Sequence, residues 1–340
     1  MLEIDGGPGG GAVLRVASAL AAITGTPIQV THIRQSRPNP GLQAQHLEGL
    51  KAVADLCGGQ LEGARLGSTV ITLTPGPLKK KRLDVRIGTA GSVGLVFQSL
   101  GLPAAVAGAS IQVRGGATFG KWAPPLVATQ TVLLAVLQKM GFQADISIRR
   151  HGFYPAGGSE VEITVPACTL SPLSLTSRGV ITHIGGLSVA SSGLRSAQVA
   201  ERQAVEAERL LKRRGYRPLI KSQYVEADNP GSGIVLWAGT GGGAIVGADA
   251  LGERGKPAQD VGSEAALSLL RTITSGACVD DHLSDQLLAF MAMAPPSAIT
   301  VPTLTAHAKT NMELIERFLP VHFSAKEQGS AVLISVASRS

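Results

Sequence analysis

The sequence predicts an α/β (α+β) protein in which a large domain of repeated helix-on-sheet units is interrupted by a smaller α/β insert. Three observations predict it. One amphipathic helix followed by two short strands recurs along the chain, the pattern expected where each helix covers one face of a small sheet. The 42 Gly and 19 Pro among 340 residues break the chain into short elements with sharp turns. Over residues 176–275 the texture changes to include a helix dense in charge, as a separately folded insert would explain. The expected division is therefore 1–175 with 276–340 as the large domain, and 176–275 as the insert.

The run Gly6-Gly7-Pro8-Gly9-Gly10-Gly11 leads into Leu14, Val16 and Leu20, a glycine-rich turn before a helix. Backbone N–H groups there can approach a phosphate, and the helix start adds partial positive charge. The spacing matches neither the P-loop nor the dinucleotide fingerprint, so a turn without a ligand fits at least as well. The first recurring helix carries Leu42, Leu47, Leu50, Val53, Ala54 and Cys57 and stops at Gly58-Gly59, with strands expected near 60–65 and 68–74. The second opens at Pro124-Pro125, carries Leu133, Val136, Leu137 and Met140, and stops at Gly141 before strands near 143–149 and 159–165. A third begins near Ser191-Ser192, runs through Glu201–Arg214 to Gly215, and precedes strands near 217–225 and 233–238. A fourth spans Asn311 to Phe318, with strands near 320–324 and 331–337.

Composition narrows the function class. A charged fraction of 16% with 44% hydrophobic residues argues against disorder. The excess of 31 Lys+Arg over 24 Asp+Glu, +7 in all, favours a polyanionic partner such as nucleic acid or nucleotide. No run of ~18 residues is apolar throughout, as a membrane span needs, and the N-terminus lacks a basic and apolar leader, so neither a membrane anchor nor export is expected. Cys57, Cys168 and Cys278 show no CxxC or zinc spacing and fit a reduced cytoplasm.

Several clusters are candidates for chemistry. Arg34 and Arg37 lie in a proline-stiffened loop whose planar guanidinium forks suit phosphate oxygens, while His46 on the next helix reads as a packed histidine. Gly88-Thr89-Ala90-Gly91-Ser92 precedes an apolar helix carrying Gln98; it is either a second anion cradle or a tight helix entry capped by Thr89 or Ser92. Arg149 to Gly158 couples basic and aromatic residues in a turn, suited to a ribose-phosphate chain and equally to a β-hairpin. Lys79-Lys80-Lys81-Arg82 reads as a solvated hairpin tip. Asp280, Asp281 and Asp285 lie about one helical turn apart, a spacing that can hold a divalent ion or a ribose. His307, at the mouth of the final helix and near Lys309, can attack an electrophilic phosphorus if its imidazole is neutral, and otherwise reads as a cap or surface residue.

Taken in order, IDG…GGG..LR, IR..RP.PGL..QHL, IGTAGS…..Q, RGG…..APP, RHGFYPAGG, GADALGERG, DDHLSDQL and AHAKTN…ERFLPV cover nearly the whole chain. This ordered set resembles the RNA 3′-terminal phosphate cyclase family. The resemblance implies a ligase-class enzyme of RNA processing that uses ATP and a divalent metal, Mg or Mn, on an RNA with a 3′-phosphate end. It implies that His307 is the nucleophile, adenylylated by ATP, and that AMP passes to the RNA 3′-phosphate before the 2′-hydroxyl displaces it to close a 2′,3′-cyclic phosphate. It also places Gln98, Pro125, His282, Leu283, Ser284, Asp285 and Gln286 at ATP, with Asp285 at the ribose, and Arg15, Arg34, Arg37 and Gln45 near the phosphates and the RNA end.

The chain departs from the family pattern where a glutamate usually precedes GGG and a glutamine follows it; here Pro8 and Ala12 stand. After APP, where an acidic residue is often found, come Leu126, Val127 and Ala128. The alternatives are a weak or inactive relative acting as an RNA-binding or ribosome-assembly factor, and a transferase that adenylates ends without closing the ring.

Overall fold

The computed structural model describes residues 1–8, 10–79 and 81–339, so Gly9 of the opening turn and Lys80 of the basic run lie outside the described residues. In chain order the first unit is β1 (Leu2–Asp5), α1 (Gly11–Thr24), β2 (Ile28–Thr31), α2 (Ala44–Leu56), β3 (Gln60–Glu62) and β4 (Ile71–Thr74). The parallel pair β1 and β2 requires the α1 crossover, and the antiparallel β3 and β4 close the sheet in the order β1-β2-β4-β3.

The second unit repeats this plan with β5 (Arg82–Ser92), α3 (Val93–Ala107), β6 (Ala109–Ala117), a helical stretch over 126–140, β7 (Asp145–Arg150) and β8 (Glu160–Val165), paired β5-β6-β8-β7. That stretch is α4 (Leu126–Ala128), a π-turn (Thr129–Leu133), α5 (Leu134–Leu137) and a final 3₁₀ turn (Gln138–Met140), ended by the left-handed Gly141.

After β9 (Ser174–Leu175) the chain leaves for β10 (Ile181–Ser191), α6 (Val199–Arg213), β11 (Pro218–Val225), β12 (Ser232–Thr240), β13 (Ile245–Leu251) and α7 (Ala258–Ser275). It then returns through α8 (Asp281–Ala292), β14 (Ser297–Val301), α9 (Ala306–Ile315), β15 (Val321–Gln328) and β16 (Ala331–Ser338). The third sheet is ordered β9-β14-β16-β15, the same plan once more, with residues 176–275 threaded between its first strand and first helix.

The region expected as the third copy is therefore no copy. In the true units the two strands after the helix pair with each other, whereas β11 and β12 flank β10 on opposite sides, in the order β11-β10-β12-β13. A linear helix–strand–strand pattern does not say which strands hydrogen-bond. The final helix also starts earlier than Asn311, because Thr305 caps it at Ala308 N (2.9 Å).

Packing follows the apolar stripes. Val13, Leu14 and Leu20 of α1, Leu50 and Val53 of α2, and Leu287 and Leu288 of α8 are buried in one cluster shared by all three units; truncating such a leucine to alanine typically costs about 2–5 kcal/mol. Residues 176–275 have a separate cluster, with Ala207 and Leu211 of α6 and Val261 and Leu269 of α7 covering Ile234 and Leu236 of β12. Phe119 and Phe153, ring centroids 5.5 Å apart, join Val189 and Val235 in a third cluster, a seam between the second unit and residues 176–275. Along the same seam the π-turn brings Val132 against Gly247, where a Cβ would stand 2.9 Å from Val132 Cγ2, so only glycine lets β13 approach.

Candidate active site

Two cavities open on either side of the first turn of α8. One, of about 650 Å³, is lined by Gly11, Arg15, Arg34 and Arg37 on one wall and by Asp285 and His307 on the other. Gln45, Gln98, His282 and Gln286 line it too. The second, of about 770 Å³, lies between the body and β13 with α7, and includes Asp249, Glu264, Asp280 and Asp281.

In the first cavity α1 begins at Gly11 after Gly10, whose φ of 58° makes the turn, and no side chain caps the helix. Its free N–H groups and positive end face the cavity. A Cβ at position 11 would overlap His46 Nε2, so glycine is required for the histidine to pack against the helix start. His46 is 7% exposed and its Nδ1 accepts from Gln43 N at 3.2 Å, which puts the proton on Nε2. Burial, reinforced by the Arg15 and Arg34 charges, lowers its pKa to about 3, so it is neutral at ordinary pH.

Burial also lowers the Arg15 pKa to about 10, with the Asp285 charge opposing, and the guanidinium stays cationic. Arg34, held at φ 54°, donates through Nη1 to Asn39 O (2.7 Å) and Gly41 O (2.9 Å), so one side of its fork fixes the loop. The Arg37 side chain lies against Gly10 and has no acceptor among the described residues. Three guanidinium groups thus face one carboxylate beside a helix N-terminus, a field suited to an anion of several charges.

On the opposite wall Thr305 Oγ1 donates to Asp285 Oδ1 (2.8 Å). Burial raises the Asp285 pKa, and this hydrogen bond with the nearby His307 and His282 pulls it back. His307, in the first turn of α9, buries Nδ1 without a partner, and Asn311, one turn later and 2% exposed, leaves Oδ1 unpaired. Nε2 of His307 is the accessible nitrogen, with no hydrogen bond among the described residues. Gln98 Nε2 donates to Gln286 Oε1 (2.9 Å), and Gln286 Nε2 to His282 O (3.0 Å), forming a short amide chain on α3 and α8.

Not every expected residue enters this cavity. Pro125 is buried as the N-cap of α4 while its neighbour Pro124 lines the wall, and Leu283 and Ser284 are 3% and 0% exposed. Gln45 reaches it but also accepts from Ser92 N (3.0 Å), and Ser92 Oγ caps Leu95 N (3.3 Å), so Gly88–Ser92 acts as a helix entry. Arg149 and Arg150 pair with Glu162, Glu160 and Asp228 instead of facing a cavity. Asp280 caps Leu283 N (2.9 Å) and accepts from Gly247 N (3.0 Å), and Asp281 accepts from Thr303 N (3.0 Å) and Oγ1 (3.1 Å). These two carboxylates tie β13 and the loop before α9 to the head of α8. His46, Thr305 and Asn311 were not singled out for the site; Asn311 alone carried a readable signal, lying four residues after His307 on one helix face.

A family model described as RNA 3'-terminal phosphate cyclase matches residues 7–325. The chain is 41% identical over 348 residues to the RNA 3'-terminal phosphate cyclase of Caldivirga maquilingensis, covering 99% of this chain and 98% of that protein. It is 40% identical to that of Methanosarcina barkeri, with 99% and 100% covered, and 44% identical to that of Thermococcus gammatolerans, with 94% and 92% covered. Among the described residues no helix is long and apolar enough to cross a membrane, and all three cysteines are free thiols.

Proposed function

We propose, from the premise that this chain belongs to the RNA 3′-terminal phosphate cyclase family, that it closes an RNA 3′-phosphate to a 2′,3′-cyclic phosphate through adenylylated His307. His307 Nε2 attacks the α-phosphorus of ATP; a P–N bond forms, the bond to the β-phosphate oxygen breaks, and pyrophosphate leaves. A 3′-phosphate oxygen of the RNA then takes the adenylyl group and frees the histidine. The 2′-hydroxyl attacks the activated phosphorus, its proton passes to solvent, and AMP leaves as the ring closes.

The observation that carries this reading is an imidazole with an accessible nitrogen at a helix start, across one cavity from three arginines and the open N-terminus of α1. Arg15, Arg34 and Arg37 neutralise the polyphosphate and the RNA end, Asp285 accepts from the nucleotide ribose, and the Gln98–Gln286 pair with His282 supports the base. Among the described residues no three His, Cys, Asp or Glu side chains converge on one point, and Pro8 and Ala12 supply no ligand. The residues present therefore do not fit a protein-built metal site; a Mg or Mn ion would come chelated on the triphosphate.

Incubation with α-labelled ATP should give a covalent AMP adduct, acid-labile and stable to alkali, absent from His307→Ala. A 3′-phosphorylated RNA should then become resistant to phosphatase. No adduct in the wild type would return the chain to the non-catalytic alternative, which Pro8 and Ala12 favour; an adduct with a phosphatase-sensitive RNA would make it an end-adenylating transferase.

A further inference from the structure

Trp122 is 94% exposed, the highest value among the large hydrophobic side chains left in solvent. An indole normally buries most of its surface, so this one stands where a partner would have a broad apolar face to cover. Its backbone is held at φ 57°, a conformation disfavoured for a residue with a bulky side chain. The preceding Lys121 places Nζ 5.9 Å from the Trp122 ring centroid and 5.2 Å from that of Tyr154, itself 56% exposed, and pairs with Glu253 at 3.3 Å. Asn229 anchors the Tyr154 carbonyl with a 2.8 Å hydrogen bond. Two exposed rings bridged by one cation therefore stand together, and Trp122 lines both cavities at their common rim.

We propose that Trp122, braced by Lys121, stacks a nucleobase at the 3′ end of the RNA and so presents the terminal phosphate to Arg15, Arg34 and Arg37. This rests on the proposed cyclase reading and adds to it a base-binding element that is indifferent to sequence. The arginines recognise phosphate alone, whereas an aromatic face accepts any unpaired base because each has a π-surface. The amides of Gln98 and Gln286 lie half-buried inside the cavity, where a small nucleotide can be enclosed; the indole stands outside, where a polymer arrives.

The test uses the full chain, a 3′-phosphorylated oligoribonucleotide, and the same oligonucleotide with its last two nucleotides abasic. Trp122→Ala should raise KM for the normal RNA about tenfold, Trp122→Phe should largely restore it, and on abasic RNA wild type and Trp122→Ala should coincide. AMP attachment to His307 from ATP alone reports the other half-reaction and should be the same in all three proteins. Since the only other tryptophan is Trp237, the Trp237→Phe protein should show indole fluorescence quenched by normal RNA and not by abasic RNA. An unchanged KM in Trp122→Ala, an equal loss on abasic RNA, or a loss confined to AMP attachment would overturn the proposal. If the wild type forms no adduct, the cyclase reading fails by itself, and the quenching experiment still decides whether the ring meets a base.

Discussion

The two cavities beside α8 are both rich in charge, yet they hold it in opposite ways. In the carboxylate cavity Asp280 and Asp281 are engaged by backbone N–H groups and a threonine hydroxyl, joining β13 and the loop before α9 to the head of α8. In the arginine cavity Arg37, His307 and Asn311 keep polar atoms without protein partners. Residue type alone does not mark a site; what marks it is hydrogen-bonding capacity left over once the fold has taken its share.

The contrast predicts opposite pH signatures. His46 in the arginine cavity has a folded pKa near 3 against 6.5 unfolded, so its contribution is complete above pH 6.5 and is lost as pH falls toward 3. That component amounts to at most about 5 kcal/mol. Urea midpoints measured from pH 7 down to 4 should fall in the wild type and fall less steeply in His46→Gln; parallel slopes would break the comparison.

Asp249 in the carboxylate cavity runs the other way. Burial, with added repulsion from Asp280 and Glu264 and partly offset by His282, raises its pKa from 3.8 to about 7. A raised acid is stabilising while protonated, so its contribution is complete below pH 3.8 and is lost as pH rises through about 7, by at most about 4 kcal/mol. Asp249→Asn should remove that loss, gaining stability over the wild type between pH 5 and 8, read from the same urea midpoints.

The smallest effect expected is the most informative about chemistry. Arg37, exposed and unpartnered, sits at the outer end of the arginine wall. Arg37→Ala should slow transfer of AMP to RNA about tenfold, as loss of a charged hydrogen bond does, and change AMP attachment to His307 much less. Equal losses in single-turnover measurements of both steps would put Arg37 on ATP instead.

Much of this was legible in the sequence because it was local. Glycine stops after α2 and the helical stretch over 126–140, the cap at Ser92 and the apolar stripes depend on neighbours within a few residues. The ordered motifs, read with the family they resemble, named Arg15, Arg34, Arg37, Asp285 and His307, and the fold lines one cavity with all five. Strand partnership was not legible. The helix–strand–strand of α6, β11 and β12 reads like the true units, and only the pairing of β10 with both strands separates it from them.

By itself, then, the sequence determined the helices, their stops and which side chains have the chemistry to bind and transfer phosphate, since propensity and charge are properties of a residue and its near neighbours. Tertiary structure alone decided that Asp280 and Asp281 serve as braces, that His46 is held neutral between arginines, and that an indole is left in water at the cavity rim. Each of these depends on burial and on which distant groups use up a side chain's hydrogen bonds, and neither quantity exists until the chain has folded.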